Sequence, residues 1–255
     1  MRPKVLWAIT LNTFRETLRD KLLYSLVGFA VLVIAASLLA GSVSLGQDAR
    51  VIQDFSLTAM LVFLLIITYF IGTQLVFKEV ERKTIYLVLS KPVSRETFYL
   101  GKFLGLCLTI LVAGLIMATM FVAVLAIKTH QVPVAAYFAV GAVILEAWLL
   151  TAVSLLFSSF TSPLSSAIYT FGVTLIGHGS ATIWLLSQKA SPVVRGILEG
   201  VYYVFPNLEK FNLRNDVVFN LAPDITQVVW ILLYFVGYTA FLLILGMSAF
   251  RKDEF

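Results

Sequence analysis

Two side chains able to do acid–base chemistry stand almost alone in a long apolar stretch. Between Thr129 and Gln188 the only acidic, basic or imidazole groups are His130, Glu146 and His178. A carboxylate in such surroundings costs a few kcal/mol on membrane-insertion scales. Glu146 must therefore face the protein interior, find a partner or hold a proton. His178, set between Gly177 and Gly179, is the available partner. Counted inward from the outer ends of their helices, Glu146 lies about 18 Å deep and His178 about 12 Å, at a rise of about 1.5 Å per residue. A direct or water-bridged pair is within reach. Such a pair suits a polar step in a translocation path or its gate, or equally an interhelical hydrogen bond that fixes packing. One pair alone does not make a proton relay.

Other chemistry is poorly supplied. A phosphate-binding loop needs Gly-x4-Gly-Lys-Ser/Thr, so that backbone amides cradle phosphate and a hydroxyl holds magnesium. Here Gly101-Lys102 is followed by Phe103, and Glu96 stands where the first glycine should be. There is no His-Glu-x-x-His zinc motif, and His130 and His178 are far apart in the chain. The single cysteine, Cys107, excludes a disulfide framework and reads as a small buried apolar group. Serine is common in membrane helices for packing reasons. The expectation is a chain with no catalytic residue, metal or cofactor of its own.

The elements that must position Glu146 and His178 follow from the charge map. The chain has 255 residues, 60% hydrophobic and only 13% charged, against roughly 25% charged in a soluble domain. It could not cover its own surface in water, and it is too apolar for disorder. Residues 22–46, 55–77, 103–127 and 225–250 carry no charge, and about 20 helical residues cross a hydrocarbon core. The fifth region, 129–188, divides at Ser158-Ser159-Phe160-Thr161-Ser162-Pro163. The expected fold is an all-α integral membrane protein, one transmembrane domain with six spans near 22–41, 55–77, 103–127, 134–157, 164–186 and 227–249. No cleavable signal is evident, so the first span is expected to stay as an anchor.

Six spans put both termini on one side. Segments on that side hold 13 Lys+Arg and those on the other side 6. The positive-inside rule then makes the termini cytoplasmic, in a plasma or inner membrane. This asymmetry accounts for the net charge of +5 without nucleic acid as a partner.

Three connecting segments carry further signals. In 1–21, Trp7, Leu11, Phe14 and Leu18 share a helical face, which predicts an amphipathic helix on the lipid surface. Loop 78–102 opens with charges, then sets Ile85, Tyr86 and Leu89 on one ridge; Pro92 ends that helix and Ser94 caps the next. This short helix would dock in a groove of a soluble partner or rest on lipid. Segment 187–224 is too long for a turn. Ser191-Pro192 starts a helix there, with an apolar stripe through Val194, Ile197, Leu198, Val201 and Phe205 that Pro206-Asn207 ends. Arg195 and Glu199 are spaced to pair. Gly101 and Gly105 form a small-residue step at which two backbones can approach.

The run from Glu81 through Thr84, Leu89 and Pro92-Val93-Ser94-Arg95 to Gly101-Lys102 resembles the signature of type-2 ABC transporter permeases, the type V ABC exporters. Lys83 and Ile85 replace the usual glycine and leucine, and both form helix better than glycine. The resemblance extends to the order of elements along nearly the whole chain. It implies a coupling helix docking an ABC ATPase through Glu79, Glu81, Thr84, Ile85, Tyr86, Leu89 and Pro92, with Arg95 and Lys102 bracing the loop against phosphates or the N-terminal elbow helix. It implies two ATPase subunits carrying ATP and magnesium, and a second permease copy, most simply a homodimer. It also implies outer re-entrant helices closing the mouth, an outer gate at Ile197, Val201, Phe205, Pro206 and Asn207. The competing reading is an ATP-independent carrier or a membrane scaffold, although several intramembrane charges and an internal repeat expected of a carrier are lacking.

Overall fold

The computed structural model describes residues 3–43, 47–73, 94–130, 132–219, 221 and 224–252. All the described residues lie in helices or short connections, with no strand among them. Helix α1 spans Pro3–Leu18, α2 Lys21–Val43 and α3 Asp48–Ile67, which runs on as a π-helical turn, Thr68–Gly72. Then come α4 (Arg95–Thr129), α5 (Val134–Ser158), α6 (Pro163–His178), α7 (Ser180–Ser187) and α8 (Pro192–Val204). A 3-10 turn at Leu208–Phe211 and the short α9 (Arg214–Val218) lead to α10, Ile225–Lys252.

Among the described residues, five helices are long and apolar enough to cross a membrane: Lys21–Val43, Asp48–Gly72, Arg95–Thr129, Val134–Ser158 and Ile225–Ala249. The span expected at 164–186 is not one helix. It is divided at Gly179 into α6 and α7. The local cause lies in Gly177-His178-Gly179, where two weak helix formers flank the one polar side chain.

Helices start where the sequence supplies caps. The Ser94 hydroxyl accepts a hydrogen bond from Thr97 N–H at the head of α4. Ser162 does the same for Ser165 N–H at the head of α6, with Pro163 at the first position. Ser191 has the capping backbone geometry but its hydroxyl makes no capping bond. Helix α4 ends at His130, in left-handed geometry with φ 55°. His130 thus closes a helix.

The bundle centres on α3, α4 and α5, flanked by α2 and α10. Met60, Leu64, Met117, Phe121, Leu149 and Leu150 are fully buried there. Helices α2 and α10 show Leu32, Leu39, Trp230 and Phe241 outward. In a bilayer such side chains meet lipid, and helices associate by close packing of small and polar groups. The contact of α1 with α4 follows this rule. A Cβ on Gly101 would lie 2.6 Å from Ile9 Cγ2, and one on Gly105 2.8 Å from the Thr10 carbonyl. The buried face of α1 is Thr10, Thr13 and Thr17, whereas Trp7 is 58% exposed. Of the stripe Trp7, Leu11, Phe14 and Leu18, only Trp7 is exposed; the other three are half-buried, with Leu18 against the core, and the fully buried face is that of the small hydroxyl residues.

Candidate functional site

The break between α6 and α7 places His178 at the last position of α6, facing the middle of α5. Its Nε2 lies 2.9 Å from Glu146 Oε1. The Glu146 side chain is 2% exposed and that of His178 28%. The two groups read from the sequence as possible partners thus meet directly. Burial sharpens their interaction, since the low local dielectric weakens neither charge nor dipole as water would.

The roof over this pair is the chain from Pro206 to Val217. Leu208, Phe211, Leu213 and Val217 are all buried, so the segment folds back into the bundle and does not lie across its outside. It fits closely: a Cβ on Gly177 would sit 2.6 Å from Leu208 Cγ and 2.7 Å from the Pro206 carbonyl oxygen. Polar side chains hold it. Ser180 Oγ donates to Asn207 Oδ1 at 2.8 Å, and Asn207 N–H donates to Tyr234 Oη at 2.7 Å. Arg214 donates from Nη1 to Thr58 Oγ1 of α3 at 2.7 Å and from Nε to Asn212 Oδ1 at 2.9 Å. Asn212 Nδ2 donates to Glu209 Oε1 at 2.8 Å. Lys210 Nζ rests 4.2 Å above the Tyr234 ring, a cation–π contact. Arg214 and Glu209 lie within electrostatic reach of the Glu146–His178 pair.

Along α6 the polar line continues. Tyr69, in the π-helical turn, donates from Oη to Thr174 Oγ1 at 2.8 Å. Beyond it opens a cavity of about 470 Å³ lined by Tyr69, Phe70, Thr73, Ile168 and Phe171 among others. π-helical turns recur at functional sites because they widen the helix and reorient side chains. A pocket of this size, apolar with a few polar groups, suits an amphipathic molecule. Among the described residues no cluster of His, Cys, Asp and Glu could hold a metal ion.

The expected outer-gate residues are divided. Pro206 is buried and Asn207 half-buried in the roof, and Phe205 is half-buried beside them. Ile197 is 63% exposed, and α8 packs chiefly on α7, so the stripe with Val201 does not line the bundle. The expected Arg195–Glu199 pair forms at 2.6 Å.

Of the residues assigned to ATPase coupling, Glu79, Glu81, Thr84, Ile85, Tyr86, Leu89 and Pro92 lie outside the described residues. Arg95 opens α4. Lys102 is buried between α4 and α1, with Nζ 3.6 Å from Glu16 Oε2 and 5.6 Å from the Phe98 ring centre. Thr58, Tyr69, Ser180, Glu209, Asn212, Arg214 and Tyr234 were not singled out from the sequence. The available signal was Glu209, Asn212 and Arg214 clustered just after Pro206-Asn207.

A family model described as ABC-2 family transporter protein matches residues 7–255. No curated protein matches the chain.

Proposed function

This chain belongs to the ABC-2 family of transporter proteins and is a membrane permease component of an ABC transporter; from that premise we propose that it is the transmembrane half of an ATP-driven exporter. The broken helix α6–α7 is then the sixth crossing, with both termini in the cytoplasm. The loop 78–102 docks a separate ATPase subunit, which supplies ATP and magnesium chemistry. Two permease copies and two ATPase subunits make the working unit.

The observation that carries this reading is the buried Glu146–His178 pair at the break, roofed by the folded-back segment. A structural pair could sit in an unbroken helix. Here the pair joins α5 to a crossing that is divided at Gly179, beneath chain that would have to move for an outer mouth to open. Nucleotide binding draws the two loops together and pulls on α4. The tight α1–α4 contact at Gly101 and Gly105 makes the elbow helix move with it. Pulling on the bundle shifts the population between roofed and unroofed states. Cargo enters by the cavity beside Tyr69 and leaves past the pair.

Tyr86→Asp and Leu89→Asp test the docking step in proteoliposomes containing both subunits. Each substitution places a charge on the apolar ridge. The expected result is loss of ATP-dependent transport with the permease still folded. Unaltered transport in both variants would remove the loop from the coupling step and favour a carrier or scaffold.

A further inference from the structure

A second cavity lies away from the roofed pair, with no α6 residue in its walls. It measures about 440 Å³ and opens between α1, α4, α5 and α10. Its walls include Trp7, Phe103, Cys107, Trp148, Phe235 and Thr239. Trp148 is fixed in the wall, because its Nε1–H donates to the Cys107 carbonyl oxygen at 2.9 Å. Three of the four helices around the cavity are candidate membrane spans. The medium next to the opening is therefore lipid hydrocarbon, and the cavity continues the lipid-facing surface inward.

Two features are more than an apolar dent. Thr239 is 6% exposed, and its Oγ1 makes no hydrogen bond. Thr13 Oγ1 of α1 is likewise without a partner, but it faces α4 and not the cavity lining; Thr109 donates to Gly105 O at 3.1 Å and Thr151 to Ala147 O at 2.8 Å. A buried hydroxyl left unpaired is costly unless something meets it. An ester carbonyl would do so, whereas an apolar side chain of another protein would not. Lys4 is exposed and stands three residues before the cavity-lining Trp7, on the same face of α1. A positive charge one helical turn from the indole that lines an apolar slot complements a phosphate headgroup above hydrocarbon.

We propose that this groove binds one acyl chain of a membrane phospholipid, with Thr239 meeting the ester and Lys4 and Trp7 at the headgroup. The bound lipid fills the joint between α1 and α10, so it acts as part of the packing that ties the elbow helix to the bundle. This site is separate from the cargo route, and it stands or falls independently of ATP coupling.

The test is tryptophan quenching by dibrominated phosphatidylcholine in reconstituted vesicles. Trp148 is kept as the only tryptophan, with Trp7 replaced by tyrosine, which keeps an amphipathic ring at the headgroup, and Trp184 and Trp230 by phenylalanine. A second protein keeps only Trp230, which is 67% exposed and serves as the lipid-facing standard. Trp148 should be quenched at least twofold relative to unbrominated vesicles. Ala240→Phe, which fills the groove from α10, should at least halve that quenching and leave the Trp230 standard unchanged; a melting transition in nanodiscs equal to the parent's shows that the variant is folded. Trp148 left unquenched, or quenched equally with Ala240→Phe, would overturn the proposal. So would quenching that appears only on dilution of protein in lipid, the mark of a second copy in the groove.

Discussion

Removing one member of the Glu146–His178 pair should cost far more than its size suggests. His178→Ala leaves a carboxyl group that is 2% exposed without the group now 2.9 Å away. Breaking a fully buried pair from one side costs about 3–5 kcal/mol. His178 is 28% exposed, so water or lipid headgroups recover part of the loss, and about 2–3 kcal/mol remains. For a chain of this size that lowers the melting temperature by roughly 4–12 °C. Glu146→Gln keeps a hydrogen-bonding group and should cost only about 1 kcal/mol. Glu146→Leu with His178→Leu removes both polar groups together and should be less harmful than the two single changes summed, with a coupling of about 1–3 kcal/mol. The assay is thermal unfolding, in one lipid nanodisc composition, of His178→Ala, Glu146→Gln, the single changes Glu146→Leu and His178→Leu, and their double. Additivity within about 0.5 kcal/mol would refute the reasoning, since contacting groups that act on each other do not add.

Three further outcomes are expected. Gly177→Val drives a side chain against Leu208 and the Pro206 carbonyl; it should lift the roof and make a cysteine at Leu208→Cys react with an impermeant thiol reagent several times faster than in the parent. Arg214→Ala removes the bond to Thr58 and should raise the same reactivity while costing about 1–3 kcal/mol of stability, read by nanodisc melting. Gly105→Val meets the Thr10 backbone and Thr13; overpacking there should cost about 1–3 kcal/mol and free α1, read as faster proteolysis of the N-terminal helix in intact vesicles.

Local signals were legible in the sequence, and of the long-range contacts only the Glu146–His178 pair was. Runs without charge located the helices, because charge is excluded from hydrocarbon wherever the chain crosses it. Ser94 and Ser162-Pro163 marked helix starts, and Arg195–Glu199 marked a pair, because each effect is set within four residues. The pairing of Glu146 with His178 was also within reach, since two lone polar groups at similar depth have few alternatives. The break at Gly179 was hidden because the apolar run continues through Leu186. Hydropathy records the medium that a residue meets and not the continuity of its helix. The packed face of α1 illustrates the same limit. The stripe with Trp7 is the more apolar face, yet Thr10 and Thr13 meet the protein. In a membrane the apolar face is satisfied by lipid, so packing falls to the small residues opposite glycine. The roof went unread because Asn207, Asn212 and Arg214 look like surface residues until partners such as Ser180, Thr58 and Tyr234 are brought to them.

The central claim is that a separate ATPase drives this permease. Its most direct test is purification of the tagged chain from its native host in mild detergent, with mass spectrometry of whatever accompanies it. A stoichiometric soluble partner is expected that carries a Gly-x4-Gly-Lys-Ser/Thr loop and is lost in Tyr86→Asp and Leu89→Asp. A clean preparation without such a partner, reproduced in lipid nanodiscs, would contradict it.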